Sequence, residues 1–527
     1  MDKKLFINGQ FYSLKNEGET FEALASANGY IVDTGTNERL KEYSTFGYKI
    51  IDLKGKSVIP GLIDSHTHFV SFAKTLDFVN LDGVKSLDEV LSKVKEHSEK
   101  KSSGDWVIGR GWDQYLWGMT DFPTKEILDK VVPDNPCVLI RKDGHMIWTN
   151  TKALEKLGIT NKTPDPKGGK IERKNGEPIG IFTETAVDMI LSKLPHPDKK
   201  TLEPLFKKAQ KIALESGLTG VHTFESNYEF DLLTEFYTRG MLNIRVFYGF
   251  YKDELDKMIE LGFKSYFGDH ILTLGVLKLF KDGSLGSRTA LMFEPFEGES
   301  NNYGQDVFPQ EELEKIVKLA NENSIAVAIH AIGDRAVHEV LIALSKTKDI
   351  AKEKGLRNRI EHFQIVKKDD IKLAKEIGVI VSMQPIHAVK DRDVADKFWG
   401  KRCKGSAYAW KTILKEGIPL AFGTDVPVET LNPFYSIYTA ITRHDIGEDS
   451  SWYPGEKLTL YEALSAYTKG SSYAEKRENV KGTLEPGKVA DFLVLPEDPF
   501  KVDPEEFYKL KPLATVVGGN VQTGDIK

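Results

Sequence analysis

Eight short apolar, β-branched runs, most of them separated by stretches of helical periodicity, limit what this chain can fold into more than any other feature. They lie at 59–66, 219–224, 243–248, 274–280, 325–330, 359–363, 379–383 and 419–425. Helices are predicted over 201–216, 228–239, 252–261, 309–323, 336–347, 369–377 and 410–416. Apolar strands alternating with helices belong to a parallel sheet covered by helices, and eight such units predict an α/β fold, a (β/α)8 TIM barrel. In that architecture the chemistry sits at the C-terminal ends of the strands. An open doubly-wound sheet is disfavoured, because no glycine-rich phosphate-binding turn follows an early strand.

The barrel gives a scatter of polar residues a common address. In the stretch Val58-Ile-Pro-Gly-Leu-Ile-Asp-Ser-His66-Thr67-His68-Phe69, read as one strand, alternation puts Leu62, Asp64, His66 and His68 on one face. His-x-His offers two neutral nitrogen donors to a divalent cation. Alone, such a pair is as often a hydrogen-bonded rim feature. Here Lys278 ends the fourth strand, His330 the fifth, His362 the sixth and Asp425 the eighth, so five strands deliver polar groups to one rim.

His66/His68 and His330/His362 form two donor sets for cations about 3.5–4 Å apart. Lys278 is the candidate bridge. Alternation turns it into the barrel with Val276 and Phe280, while Lys281 falls on the other face. Burial favours the neutral amine, which can take up carbon dioxide as a carbamate with two ligand oxygens. The plain alternative is an ion pair with Asp282 or Asp425. Asp425 is expected to ligate the metal, to accept the proton of a metal-bound water whose pKa zinc lowers to about 7, and to pass it to the leaving group. The expected cofactors are one or two divalent ions, zinc first, and a CO2-derived carbamate on Lys278.

At 527 residues the chain exceeds one ordinary core. Strand signals at Lys4-Leu-Phe-Ile and Gln10-Phe-Tyr-Ser-Leu flank an Asn8-Gly9 hairpin turn, and others follow at 30–32 and 48–53. Joined to 489–495 and 513–520, they predict a discontinuous β-sandwich domain from 1–56 and 478–527, around a barrel of 57–83 and 216–477. Residues 84–215 show no regular strand–helix alternation and are expected to be an insertion forming a lid or pocket wall, with 162–180 as loop. Trp112, Asp113 and His145 in this insertion, Arg288 past the fourth strand and His387 past the seventh are candidate substrate contacts, and His222 is read as packing behind the ligands.

A net charge of -6 without a basic stripe argues against nucleic acid and anionic membrane as partners. The N-terminus turns after three apolar residues, unlike a signal peptide or a spanning helix, so a cytoplasmic protein is expected. Cys137 and Cys403 lack CxxC spacing and are expected to be reduced thiols.

Five segments resemble the amidohydrolase superfamily, in its amidohydrolase-3 branch of N-substituted formamide deformylase-like proteins. They are Pro60-Gly-Leu-Ile-Asp-Ser-His-Thr-His68, Lys278-Leu-Phe-Lys-Asp-Gly-Ser-Leu-Gly-Ser-Arg288, Ile329-His-Ala-Ile-Gly-Asp-Arg335, Arg359-Ile-Glu-His-Phe-Gln364 and Phe422-Gly-Thr-Asp425. Gly482-Thr-Leu-Glu-Pro-Gly-Lys-Val-Ala-Asp491 is similar to that superfamily's return into its β domain. The resemblance implies a metal-dependent amidohydrolase cleaving a C–N bond in an amide, formamide or cyclic amide, with a carboxylated lysine. By the habit of the class it also implies a small-molecule substrate and a homodimer. The residues alone leave ester or lactone hydrolysis, deamination and a non-catalytic scaffold open, although six intact ligand positions speak against the last.

Overall fold

The computed structural model describes residues 2–142, 144–166 and 168–526, which form two compact units, Met1–Phe72 with Lys207–Lys527 and Ala73–Phe206. The first unit contains the eight-stranded parallel barrel. Its strands are β1 (Leu62–Thr67), β2 (Leu218–Glu225), β3 (Arg245–Tyr251), β4 (Leu272–Phe280), β5 (Ala326–Ala331), β6 (Arg359–His362), β7 (Ile380–Met383) and β8 (Leu420–Phe422). Each pairs in parallel with the next. Just past the ends of β8 and β1 the ring is drawn together by hydrogen bonds from the Asp425 N–H to the His66 carbonyl and from the His68 N–H to the Val426 carbonyl, both 2.8 Å.

The helices form because their apolar residues recur on one stripe. In Gln310–Glu322, Leu313, Ile316, Val317 and Ala320 are buried at helical spacing, while Glu311 and Glu312 favour its N-terminus. The helix Asn227–Thr238 starts at a capping box in which Ser226 and Glu229 satisfy each other's backbone donors. Among the described residues, no helix is long and apolar enough to cross a membrane.

The run read as a single first strand divides at Gly61. Ser57–Pro60 pairs with Gln10–Tyr12 and Phe492–Leu495, and the barrel strand begins only at Leu62. A Cβ on Gly61 would stand 2.3 Å from the Thr219 hydroxyl, so only glycine fits where the chain passes from one sheet to the other. Strands from both chain ends therefore share a six-stranded sheet, which packs on a four-stranded one around Phe6, Phe11, Leu24, Phe492 and Val516. Asn8-Gly9 does turn the chain, but not as a hairpin. Lys3–Ile7 belongs to the four-stranded sheet and Gln10–Tyr12 to the six-stranded one, so the turn crosses between layers.

The sheet and the barrel are tied by a buried two-pronged ion pair from Arg245 to Asp491. Asp491→Ala is expected to destabilise the fold by about 3–5 kcal/mol, because it leaves a buried guanidinium without its counter-charge. A denaturant midpoint measurement checks this.

The second unit has its own six-stranded mixed sheet. Its outer two strands, Gly169–Lys174 and Glu177–Glu184, correct the reading of 162–180 as loop. Asn175 (φ 53°) and Gly176 (φ 84°) supply the two left-handed residues of a tight hairpin, a signal obscured by the surrounding lysines and glycines.

Candidate metal centre

Strict alternation fails in β1, and that failure helps build the site. Val221 pairs with Asp64 but Thr223 pairs with Thr67, so one extra residue of β1 is accommodated in a bulge. Asp64 therefore does not act with the histidines as alternation predicts. It sits at the seam with β8, accepting the His66 and Thr424 N–H groups (3.1 and 3.0 Å) and the Thr424 hydroxyl (2.6 Å).

His66 donates from Nδ1 to Glu361 Oε2 (2.6 Å), which leaves Nε2 free, 3.5 Å from Asp425 Oδ1. His68 donates from Nδ1 to the Phe224 carbonyl (2.9 Å), with its Nε2 likewise 3.5 Å from Asp425 Oδ1. His362 bonds through Nδ1 to the Gln384 side-chain oxygen (2.9 Å). Each acceptor fixes the proton on Nδ1 and presents Nε2 as a lone pair, the form in which a metal takes imidazole. Donor atoms of His66, His362 and Asp425, all buried, lie within 4.8 Å of one another.

The backbone is bent to achieve this. Arg359 and Glu361 share the inward face of β6, so alternation alone would turn His362 towards the helices. A left-handed φ of 74° at His362, matched by 63° at Asp425, redirects the chain at both positions. Burial and the nearby Lys278 push His68 down to about 4 and His66 well below the ordinary imidazole range, so the rings are neutral at neutral pH.

His330 lies beside the cluster, its ring 4.4 Å from that of His362, but its Nε2 meets the Gly283 carbonyl at 3.0 Å. The proton that Nε2 carries in that bond leaves Nδ1 as a lone pair, so His330 stays a donor beside the close triad of His66, His362 and Asp425.

Lys278 points into the barrel as alternation predicts, and Val276 packs there with Phe224, Phe247, Ala326 and Ala328. Its amine is buried over the rings of Phe224 (4.6 Å) and Phe280 (5.1 Å) and has no hydrogen-bond partner among the described residues. Burial lowers its pKa, and Glu361 and Asp425 oppose this only in part. Asp282, one suggested partner, is occupied by the N–H groups of Leu291, Ile332 and Gly333. A buried amine without an acceptor, beside a neutral imidazole and carboxylate donor set, fits a bridging carbamate and the cations it would serve. Lys281 lies behind the barrel wall, paired with Asp306 and Glu339.

Below this layer is a network that sequence reasoning missed. Arg359 bonds Glu361 (2.8 Å), the Ser65 carbonyl (2.7 Å) and Nδ1 of His222 (2.9 Å), all of them buried. His222 thus packs behind the ligands, as its sequence context suggests. The spacing of Arg359, Glu361 and His66 on neighbouring inward faces is the signal that could have revealed it. Glu361→Gln is expected to weaken metal binding about 10–100-fold, because it removes the charge that orients His66 and raises its basicity. Metal titration of the stripped protein checks this.

The remaining candidates each have partners of their own. Trp112 is fully buried in the core of the second unit, with its indole N–H on the Leu139 carbonyl (2.8 Å) and its ring between Trp117 and Trp148. It packs and cannot touch a substrate, which corrects its reading as a pocket residue. In the same unit Asp113 caps the Tyr115 N–H and faces Arg141, and half-exposed His145 faces Glu184. Arg288 is paired with Glu299 at 2.6 Å. Of the candidates in the barrel's own unit, His387 reaches the cluster, with Nε2 3.7 Å from Asp425 Oδ2.

Residues 49–522 match the amidohydrolase family. The chain is 33% identical to the Bacillus subtilis (strain 168) protein YtcJ, covering 98% of this chain and 99% of that one. It is 26% identical to the N-substituted formamide deformylase of Arthrobacter pascens, covering 98% and 97%. It also resembles the crystal structure of an uncharacterized metal-dependent hydrolase from Pyrococcus furiosus, at TM-score 0.81 and 31% identity, covering 95% of this chain and 100% of that one.

Proposed function

The chain belongs to the amidohydrolase family and is a metal-dependent hydrolase, and from that premise we propose that it cleaves a non-peptide C–N bond in a small amide, formamide or cyclic amide. The observation that carries this reading is the convergence of His66, His362 and Asp425 beside the unpartnered Lys278 amine. Its likeness to a formamide deformylase favours C–N over C–O cleavage. A nitrogen-rich donor set suits zinc. His66, His68, His330, His362 and Asp425 would hold the ion or ions, with Lys278 as a carbamate sharing the load. When bound, such an ion supplies a nucleophile from water at neutral pH and a Lewis acid for the acceptor oxygen.

The protein's own part is to hold and move one proton. Burial raises the Asp425 carboxyl above its ordinary range in the bare protein, and its Oδ1 faces His66 and His68 while Oδ2 faces His387. It is therefore placed to accept a proton on one side and release it to the leaving nitrogen on the other. Glu361 keeps His66 oriented, and the neutral imidazoles stay available as donors.

Chelation is expected to abolish turnover, and added zinc to restore it. The assay is a screen of amides, formamides, lactones and aminopurines for release of amine, acid or ammonia. Full activity in protein shown to be metal-free sinks the metal-dependent mechanism, and turnover confined to lactones or aminopurines sinks the C–N amide assignment.

A further inference from the structure

Buried polar atoms without partners are few in folded proteins, and each costs about 1–3 kcal/mol. Besides the Lys278 amine, the residues around the triad leave three such atoms among the described residues: His387 Nε2, Gln364 Oε1 and Gln384 Nε2. Gln384 already serves His362 through its oxygen. The other two belong to one device.

His387 lies on the short helix Pro385–Lys390 that follows β7, its ring nearly parallel to that of His362, 6.0 Å away at 16°. Its Nδ1 faces the side-chain nitrogen of Gln364 at 3.3 Å. Gln364 is itself buried, and its main-chain carbonyl accepts the Tyr408 N–H at 2.7 Å, which anchors the backbone from which the side chain reaches His387.

An amide NH2 facing Nδ1 makes that nitrogen the acceptor, and the neutral ring must then carry its proton on Nε2. With the amide reversed, Nε2 would turn a lone pair towards the Asp425 carboxylate, which is repulsive, whereas Nε2–H is attracted to it. At 3.7 Å from Asp425 Oδ2 the N–H lies near the carboxylate but beyond hydrogen-bonding distance of it. It lies beside Asp425 with no acceptor of its own among the described residues.

We propose that Gln364 holds His387 in its Nε2–H tautomer, and that this N–H donates a hydrogen bond to the substrate's acyl oxygen as negative charge gathers there. The proposal rests on the hydrolase reading and deepens it. His387 becomes a substrate-contacting group selecting molecules with an acceptor oxygen on the attacked carbon, and Gln364 becomes its positioning residue. Because the donor is fixed before reaction, its benefit falls on the transition state more than on initial binding.

The test has two arms. In the first, the zinc-loaded protein carries 15N-labelled imidazoles, and His387→Gln assigns the ring signal. The expected result is a protonated Nε2 and an unprotonated Nδ1 in the native chain, with Gln364→Met shifting the ring to a tautomer mixture. A proton on Nδ1 of the native ring overturns the proposal whether or not a substrate is known.

In the second arm, His387→Leu is compared with the native enzyme on any amide or ester that the native enzyme hydrolyses. A loss of about 10²–10³ in kcat at unchanged zinc content is expected, as for removal of one oxyanion donor. His387→Gln, which keeps an N–H, is expected to recover part of it. Unchanged kcat/KM in His387→Leu overturns the proposal. Failure of the native, zinc-loaded enzyme on every amide and ester counts instead against the hydrolase reading, with the tautomer still decided by the first arm.

Discussion

Asp425→Asn is expected to lower turnover by about 10²–10⁴-fold, the range over which a positioned acid–base group contributes, while the fold survives. The main chain at this position is held without the side chain, because the Asp425 N–H bonds the His66 carbonyl at 2.8 Å. Its left-handed φ of 63° is one that asparagine adopts more readily than most residues, so the substitution adds no backbone strain. Asparagine also matches the carboxylate in shape, which leaves the contacts with His66, His68 and His387 in place. What disappears is the charge and the capacity to take up and release a proton. Thermal stability is expected to hold or rise slightly, since burial already works against the carboxylate. Turnover, metal content and melting temperature measured on one preparation check this, and an unchanged rate removes Asp425 from the proton's path.

The barrel was legible because its strands are buried on both faces, so that hydrophobicity alone marks them, and because amphipathic helices fall between them at regular intervals. The ends of those strands were legible too. His66, Lys278, His330, His362 and Asp425 each follow an apolar run; His66, His362 and Asp425 bring donor atoms together, and the Lys278 amine beside them has no hydrogen-bond partner among the described residues. Local backbone geometry was not legible. Period-two reasoning put Asp64 with the histidines, but a bulge between Asp64 and Thr67 intervenes. By the same reasoning His362 would leave the mouth, and only its left-handed φ returns it. These departures arise where strands end and strain can be stored, and they are invisible to a pattern that assumes regular strands. Glu361 and Arg359 escaped for another reason: their partners, His66 and His222, come from β1 and β2, brought together only by closure of the barrel.

The second large effect separates stability from function. Lys278→Met is expected to stabilise the metal-free protein and to abolish both full metal loading and turnover. Methionine fills nearly the same volume between Phe224 and Phe280 but asks for no hydrogen bond, whereas the amine has none among the described residues. The pH dependence follows from linkage. Burial takes the lysine from 10.5 in the unfolded chain to about 8 in the folded one, so between those values the unfolded state binds more protons and native stability rises with pH. Below pH 8 the full cost of the buried ammonium is present, on the order of 3 kcal/mol at 1.36 kcal/mol per unit. The advantage of Lys278→Met should therefore be greatest near neutrality and should fade as pH climbs towards 10.5. In the native chain, zinc uptake at pH 8 should be accelerated by bicarbonate, because the neutral amine combines with carbon dioxide to give a carbamate and one proton. Lys278→Met should show no such acceleration. Denaturant titrations across pH and metal uptake with and without bicarbonate are the measurements. A less stable variant would mean that the amine is paired in the native protein, and uptake indifferent to bicarbonate would leave Lys278 a cation without a carbamate.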